Sequence, residues 1–389
     1  MNTLTITTKV RIYPTPEQEQ ILKQSQQAYV DGCNLVSPWV KENEELSQKK
    51  INKALYSTIR GTTGLGAQMA QSVIKTVIST YKTIHATQKK WSIEPKYKKH
   101  RMDLVRGRDY SLVKDNYISI GTLKGRIKVP YTDDPSLPLD KHILGTATLV
   151  HKHGKWMLHI PVTITIDEYT IDSIENVVGI DLGLRFLATS YDSSGKTRFY
   201  TGKHVKEQRA HYKELRSELQ RKGTRSSRKR LKTIGNRENR WMTDVNHQVS
   251  KALVESVGNT PTLFALEDLT GIRSATETVR KKDRYYQVSW AFYQLRSMIE
   301  YKAARAGHST IAVNPKNTSR SCPKCGYTDK NNRNNKKHLF TCKSCNYTSN
   351  DDRIGAMNVH SKGIKYRMDT TVQYTEQLQG VSQPPLCKE

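Results

Sequence analysis

Cys322-Pro323-Lys324-Cys325 and Cys342-Lys343-Ser344-Cys345 form two C-x2-C pairs sixteen residues apart, and no other feature of the chain limits its local fold so tightly. Each pair makes a tight turn that presents two thiolates, and two such turns complete the tetrahedral S4 shell that Zn²⁺ favours. Four cysteines leave no open coordination position, so one structural Zn²⁺ is expected. The other two cysteines, Cys33 and Cys387, stand alone. Two disulfides or buried free thiols are the alternatives, and both fit poorly with a chain that shows no sign of export. Its start, MNTLTITTK, lacks the apolar core of a signal peptide. No stretch approaches the roughly 20 apolar residues of a membrane span, so a protein made and kept in the cytosol is expected, with no membrane partner.

The 389 residues carry 64 Lys+Arg against 36 Asp+Glu, a net charge of +28. That is far from the balance of an ordinary metabolic enzyme and points to a polyanionic partner. At roughly 150 residues per domain, two or three domains are expected. Hydrophobic residues make up only 35%, yet aliphatic strands and helices recur throughout, which argues against wholesale disorder. The charge is concentrated: Lys203 to Arg240 holds 14 Lys/Arg and 4 acidic residues, so a tenth of the chain supplies +10. Helical periodicity persists through this stretch. A phosphate-facing surface accounts for such a concentration better than a solvated helical pair.

Residues 4 to 12 alternate as a half-buried strand does, with Leu4, Ile6, Val10 and Ile12 on one face. Thr15-Pro16-Glu17-Gln18 then offers a capping residue, a proline for the first helical position and a capping-box glutamine, so a helix begins near residue 16. Met69, Val73, Val77, Tyr81 and Ile84 repeat with the period of a helix, and residues 16 to 90 are read as mainly helical. From Trp91 to Arg108 the chain is basic and irregular. Residues 110 to 170 read as antiparallel strands. The first strand is expected to join them, leaving residues 16 to 90 as a helical insertion in a small barrel or sheet. ENVVGIDLGLRFLATSYDSSGKTRFY, from residue 175, reads as three strands opening a mixed sheet. Strands at 262–269 and 309–313 flank a helix at 288–307, which indicates an α/β layer. Beyond residue 362 there is neither periodicity nor an aliphatic run, so a disordered tail is expected, with no role for Cys387.

Asp181 ends the strand VVGID, Glu267 ends TLFALE, and Asp351 and Asp352 open a short helix, DDRIGAMNVHSKG. Gly183 follows Asp181 and would let a ligand approach the backbone. Carboxylates at neighbouring strand ends that face a helix start can converge although distant in sequence. Three such acids repel one another unless cations neutralise them, and two Mg²⁺ about 4 Å apart across a scissile phosphate are the standard solution for phosphodiester hydrolysis.

GIDLG around Asp181, Glu267-Asp268-Leu269, SWAFYQLRSMIEYKA, NTSRSCPKCG, SNDDRIGAMNV and the amino-terminal KVRIYPTPEQ resemble, in order and spacing, the segments of TnpB proteins, transposon-encoded RNA-guided nucleases related to type V CRISPR effectors. The resemblance covers most of residues 4 to 362. It implies a multidomain α+β and α/β chain: a wedge-type β-barrel (1–15 and 91–174), a helical recognition insertion (16–90), and an RNase H-like RuvC nuclease domain (175–317 and 350–363). A zinc ribbon (318–349) interrupts the nuclease domain and a tail (364–389) follows it. By position, Asp181 and Glu267 match the first two catalytic, Mg²⁺-binding acids. The third stands in a D-x-N-A-A-x-N segment matched here by Asp352 to Asn358, where Ile354 and Gly355 depart from the pattern. Asp352 is the expected third acid, with Asp351 the alternative.

The resemblance further implies a guide RNA from the transposon end and a double-stranded DNA target cut beside a short motif, with base pairing reading the sequence while the protein holds the duplex by shape and charge. Candidate phosphate contacts are Lys96, Lys98, Lys99, Arg101, Arg225, Arg228, Lys229, Arg230, Lys232, Lys336 and Lys337. The 20 tyrosines could stack on bases, although Tyr29 and Tyr81 fall on apolar helix faces. Trp290 and Phe292 likewise read as core. None of His151, His153 and His247 is assigned a catalytic role. A strand-transfer transposase would use the same acids, but no end-binding helix-turn-helix is evident. A non-cleaving RNA-guided repressor would have no need of intact acids. A compact CRISPR effector is separated from a transposon protein only by neighbouring DNA.

Overall fold

The structure is a computed structural model that describes residues 2–87, 90–98, 101–132, 137–152, 154–166, 169–183, 185–268, 292–334 and 337–380, with residues 2, 90 and 372–380 as backbone only. The chain divides into two compact units, Thr3–Thr165 and, apart from the first two residues, Ile166–Glu389.

The first unit begins with β1 (Asn2–Ile12) and three helices, α1 (Pro16–Glu42), α2 (Gln48–Thr63) and α3 (Ala67–Ala86). The capping box forms: Thr15 Oγ1 accepts from the Gln18 N–H, and the Thr15 N–H donates to Gln18 Oε1 at 3.1 Å. Tyr29 and Tyr81 are buried between the helices, as their apolar positions require. Seven strands follow: β2 (Arg101–Leu104), β3 (Tyr110–Val113), β4 (Tyr117–Thr122), β5 (Gly125–Thr132), β6 (Ile143–Leu144), β7 (Ala147–Lys152) and β8 (Lys155–Ile166). They pair in the order β2-β7-β8-β1-β5-β4-β3, with β6 on β8, as a nearly closed, barrel-like sheet. β1 lies inside that order rather than at an edge, so the helices are an insertion after the first strand. Alternate residues of β8, from Trp156 through Leu158, Ile160 and Val162, fill its interior. β2 falls within the stretch that reads as irregular: its pairing with β7 supplies order that the local sequence does not.

The second unit is built on five strands, β9 (Asn176–Asp181), β10 (Phe186–Asp192), β11 (Thr197–Thr201), β12 (Thr262–Glu267) and β13 (Ser309–Val313). Their order is β11-β10-β9-β12-β13. The β9–β10–β11 pairs are antiparallel, whereas β12 runs parallel to both β9 and β13. β12 is buried at every residue, as a central strand covered on both faces must be. Between β11 and β12 lie α4 (Lys203–Lys222) and α5 (Arg225–Glu255), and α6 (Phe292–Arg305) precedes β13. Leu253 of α5 and Leu295 and Ile299 of α6 pack with Val178, Ile180, Phe264 and Leu266 of the sheet. In the α4–α5 hairpin, Glu238 is buried and paired with Arg209 and Arg216, so part of the basic run is neutralised inside the fold.

After β13 come the short strands β14 (Arg333–Asn334), β15 (Leu339–Thr341) and β16 (Thr348–Asn350), which form a separate three-stranded sheet, and then α7 (Asp351–Gly380). α7 crosses β9 so closely that a Cβ on Gly179 would lie 2.2 Å from the His360 nitrogen. Only glycine allows that approach. The expected tail is corrected here, because residues 364–380 continue α7. The buried first turns nucleate the helix, and each further residue then adds a hydrogen bond without needing an apolar face. Residues 381–389, Cys387 among them, lie outside the described residues, as do Trp290 and His153. Among the described residues, no helix is long and apolar enough to cross a membrane.

Candidate active site

Parallel pairing of Leu266 with Ile180 brings the next residues, Glu267 and Asp181, to adjacent strand ends. The start of α7 completes the cluster. Asn350 caps that helix, its Oδ1 accepting from the N–H groups of Asp352 at 3.0 Å and Arg353 at 3.1 Å. The helix dipole then favours the carboxylates of its first turn. A Cβ on Gly355 would stand 2.8 Å from Asp181 Cγ, and one on Gly183 would stand 3.8 Å from Asp352 Oδ1. Asp181, Glu267 and Asp352 therefore face one another across the two strand ends and the helix start.

Their electrostatics record the crowding. Burial, then the carboxylates of Glu267 and Asp352, push Asp181 well above the ordinary carboxylate range. Burial raises Glu267, against the Thr318 hydroxyl and the cations of Lys362 and Arg333. Burial, then Asp351, raises Asp352, with Arg333 and Arg185 among the groups that oppose it. Asp352 Oδ2 is buried without a hydrogen-bond partner. Asp352 lies with His338 and Asp351 in a group whose ligand atoms are all within 4.8 Å of one another, and an unpartnered buried carboxylate oxygen there fits a divalent cation.

Asp351 has a different environment. It is 1% exposed; its Oδ2 accepts from Arg333 Nε at 3.0 Å, and His338 Nδ1 lies 3.7 Å away. Its Oδ1 accepts from the Asp352 N–H at 3.1 Å. Asp351 is thus occupied in fixing the helix start, while Asp352 keeps one carboxylate oxygen buried and unpartnered. Both departures from the D-x-N-A-A-x-N pattern have a physical role: Gly355 clears Asp181, and Ile354 is buried against Cys322, Phe340 and Cys342.

The four cysteines close a second centre. Cys322 and Cys345 Sγ are 3.7 Å apart, Cys325 and Cys342 Sγ are 3.5 Å apart, and all four sulfurs lie within 4.8 Å of one another. Zn–S bonds of 2.3 Å in a tetrahedron require sulfur separations of about 3.8 Å, so the set fits zinc, and all are free thiols. The two turns repeat one geometry, with Cys322 and Cys342 N–H donating to the carbonyls of Tyr327 and Tyr347, both at 2.9 Å. Although burial opposes it, backbone N–H groups of Cys345 and Ser344 bring the Cys342 thiol down to about 6. β14, which carries Arg333, belongs to this ribbon.

Arg333 was not singled out in the sequence. It sits among polar residues in NNRNNKKH, and its closeness to all three acids exists only once the ribbon folds back on α7. The candidate phosphate contacts do not form one group. Lys96, Lys98 and Arg101 line a cavity of about 820 Å³ in the first unit with Lys75. Arg225, Arg228, Lys229, Arg230 and Lys232 are exposed on the first turns of α5, and Lys337 is exposed in the ribbon. Lys99 and Lys336 lie outside the described residues. His151 stacks on Trp156, and His247 offers its carbonyl to Lys302.

Two family models match the chain: one described as "Probable transposase" at residues 145–270, and one described as "Cas12f1-like, TNB domain" at residues 292–359. The first span holds Asp181 and Glu267, the second Asp352 and the four cysteines. TnpB-like protein MJ0751 of Methanocaldococcus jannaschii is 30% identical over 199 residues, 49% of this chain and 70% of that protein. The chain belongs to the TnpB family. This TnpB-family chain is also 28% identical over 223 residues to the CRISPR-associated endodeoxyribonuclease Cas12f1 of Syntrophomonas palmitatica, spanning 54% of the chain but 43% of that relative's length. A 25% identical match covers 57% of the chain and 57% of an Escherichia coli protein whose provisional name is RNA-guided DNA endonuclease InsQ. The solved structure titled as a Cas12f1–sgRNA–target DNA complex is 17% identical, covers 92% of the chain and 99% of its own, and has a TM-score of 0.39.

Proposed function

We propose that this TnpB-family chain is an RNA-guided DNA endonuclease of a transposable element that cuts target DNA beside a short motif by two-metal hydrolysis. The observation that carries the proposal is the closeness of Asp181, Glu267 and Asp352 at two strand ends and a helix start, with one Asp352 oxygen buried and unpartnered. The strand order β11-β10-β9-β12-β13, antiparallel then parallel, agrees with an RNase H-like sheet of the RuvC type over 175–317 and 350–363. The sulfur geometry supports a zinc ribbon at 318–349, and the strand and helix content supports a wedge barrel at 1–15 and 91–174 with a recognition insertion at 16–90. The names of Cas12f1 and InsQ support nuclease chemistry and RNA guidance.

Asp181, Glu267 and Asp352 would hold Mg²⁺. Bound there, the cations supply neutralisation of the phosphate and activation of water. The chain's own contribution is preorganisation. Asn350 and Asp351 fix the first turn of α7, Arg333 clamps Asp351 from the ribbon, and Gly179 and Gly355 let the helix approach the strand ends. The exposed cations on α5 and around the first unit's cavity hold phosphates without reading bases, which leaves sequence choice to the guide.

The test is to purify the protein from cells carrying its native flanking DNA and to sequence the RNA that accompanies it. A discrete RNA from the gene's own 3′ end, running into adjacent sequence, is expected, and a plasmid carrying the matching target should be cut. Repeat-derived RNA would instead assign the chain to CRISPR-type effectors. Random cellular RNA only, with no programmed cutting, would contradict guidance.

A further inference from the structure

A second pocket, of about 270 Å³, lies along α7 beyond the acids, lined by Lys316, Asn317, Thr318, Ser321, Asn358, Ser361, Lys362 and Lys365. Asn358, Lys362 and Lys365 follow one another at helical spacing on a single face of α7. The loop after β13 forms the opposite wall and is stapled to that face at two places. Asn358 Nδ2 donates to the carbonyls of Thr318 at 2.6 Å and Ser321 at 2.8 Å, and Lys362 Nζ donates to those of Asn314 at 2.6 Å and Lys316 at 2.8 Å. The wall is therefore fixed before any ligand arrives, which lowers the ordering cost of binding.

The lining holds three ammonium groups, three hydroxyls and two amides, and no carboxylate. That donor set suits an anion with several oxygens, and Lys meets phosphate as a point charge. Glu267 links the pocket to the acids, because Thr318 and Lys362 both act on its carboxyl. The pocket thus adjoins the acids on its Glu267 side, while its far cation, Lys365, stands thirteen residues from Asp352 on one helix, about 20 Å at 1.5 Å per residue, and so meets a different linkage.

We propose that this pocket is a phosphodiester subsite that holds the cleaved DNA strand at one backbone linkage displaced from the scissile one, with Lys316 and Lys365 as its contacting cations. The proposal rests on the nuclease reading above. Lys362 is occupied by the loop carbonyls and by Glu267, so its part is to position the wall.

The probe is target DNA in which each linkage near the cut is replaced, one at a time, by an uncharged methylphosphonate. Cleavage rates are measured with the wild-type RNA-loaded protein and with a Lys316→Gln/Lys365→Gln double variant. For the wild type, two sensitive positions are expected: the scissile linkage and one displaced from it, the latter with a loss of about tenfold, in keeping with a charge-assisted contact. The double variant should cut all-phosphate DNA at about that reduced rate and lose nothing more when the displaced linkage is neutral. Its sensitivity at the scissile linkage should persist, which shows that its site is intact. Lack of a displaced sensitive linkage in the wild type, or the same further loss in the variant, would overturn the subsite while leaving the nuclease standing. Absence of any cutting by the wild type would overturn both.

Discussion

Asp351 and Asp352 are neighbours in sequence with opposite parts to play, and substitution separates them. Asp352→Asn removes one of three mutually repelling carboxylates, so it should abolish cleavage yet raise the melting temperature of the Mg²⁺-free, zinc-replete protein at neutral pH. Functional sites commonly store such repulsion. Asp351→Asn should instead lower the melting temperature, because it weakens the charge-assisted bond to Arg333, which is 32% exposed, a loss of about 1–2 kcal/mol. Thermal unfolding with and without Mg²⁺, beside a cleavage assay, checks both, and Mg²⁺ should stabilise the wild type more than Asp352→Asn. Gly355→Ala places a methyl group against the Asp181 carboxylate. Because the contact is with the free end of the Asp181 side chain, a small shift relieves it, and the cost should be about tenfold in cleavage rate, measurable in single turnover, with about 1 kcal/mol of stability. The acids were legible in the sequence because they end apolar strands or begin a helix. Arg333 was not, since its role depends on a fold-back that no local pattern encodes.

The ribbon and α7 act as one element pair. Ile354 of the helix completes the ribbon core of Cys322, Phe340 and Cys342, and Arg333 of the ribbon holds the helix start. Zinc removal should therefore do more than loosen a surface module. Stripping the metal with a strong chelator, then restoring Mg²⁺ alone, is expected to leave cleavage severely reduced, and added Zn²⁺ should recover it. Full activity in a zinc-free sample, verified by metal analysis, would contradict this coupling. The cysteine spacing made the four-sulfur cluster readable, and Thr15 to Gln18 made the start of α1 readable, because both are short-range signals. The length of α7 was not, since its later turns carry helix formers without an apolar stripe. The pairing of β2 was hidden for a related reason: long-range strand contacts impose order on a basic, irregular stretch.

At the scale of the molecule, the chain carries a net charge of +28 together with one cluster of buried acids, and the proposed function joins the two in one task. On the proposed function, the basic surface would hold phosphates wherever they lie, whereas the acids would act on one of them. Loss of the acids should then leave binding almost untouched. The helical insertion after the first strand, and that strand's joining of the later ones, were legible from element order, while its place inside the sheet and the strand order itself emerged only in three dimensions. The most direct measurement compares wild-type and Asp181→Ala protein, each loaded with the same RNA, for binding and cutting of one matched DNA in Mg²⁺. Equal binding with cleavage only by the wild type is expected. Undiminished cleavage by Asp181→Ala would contradict the site described here.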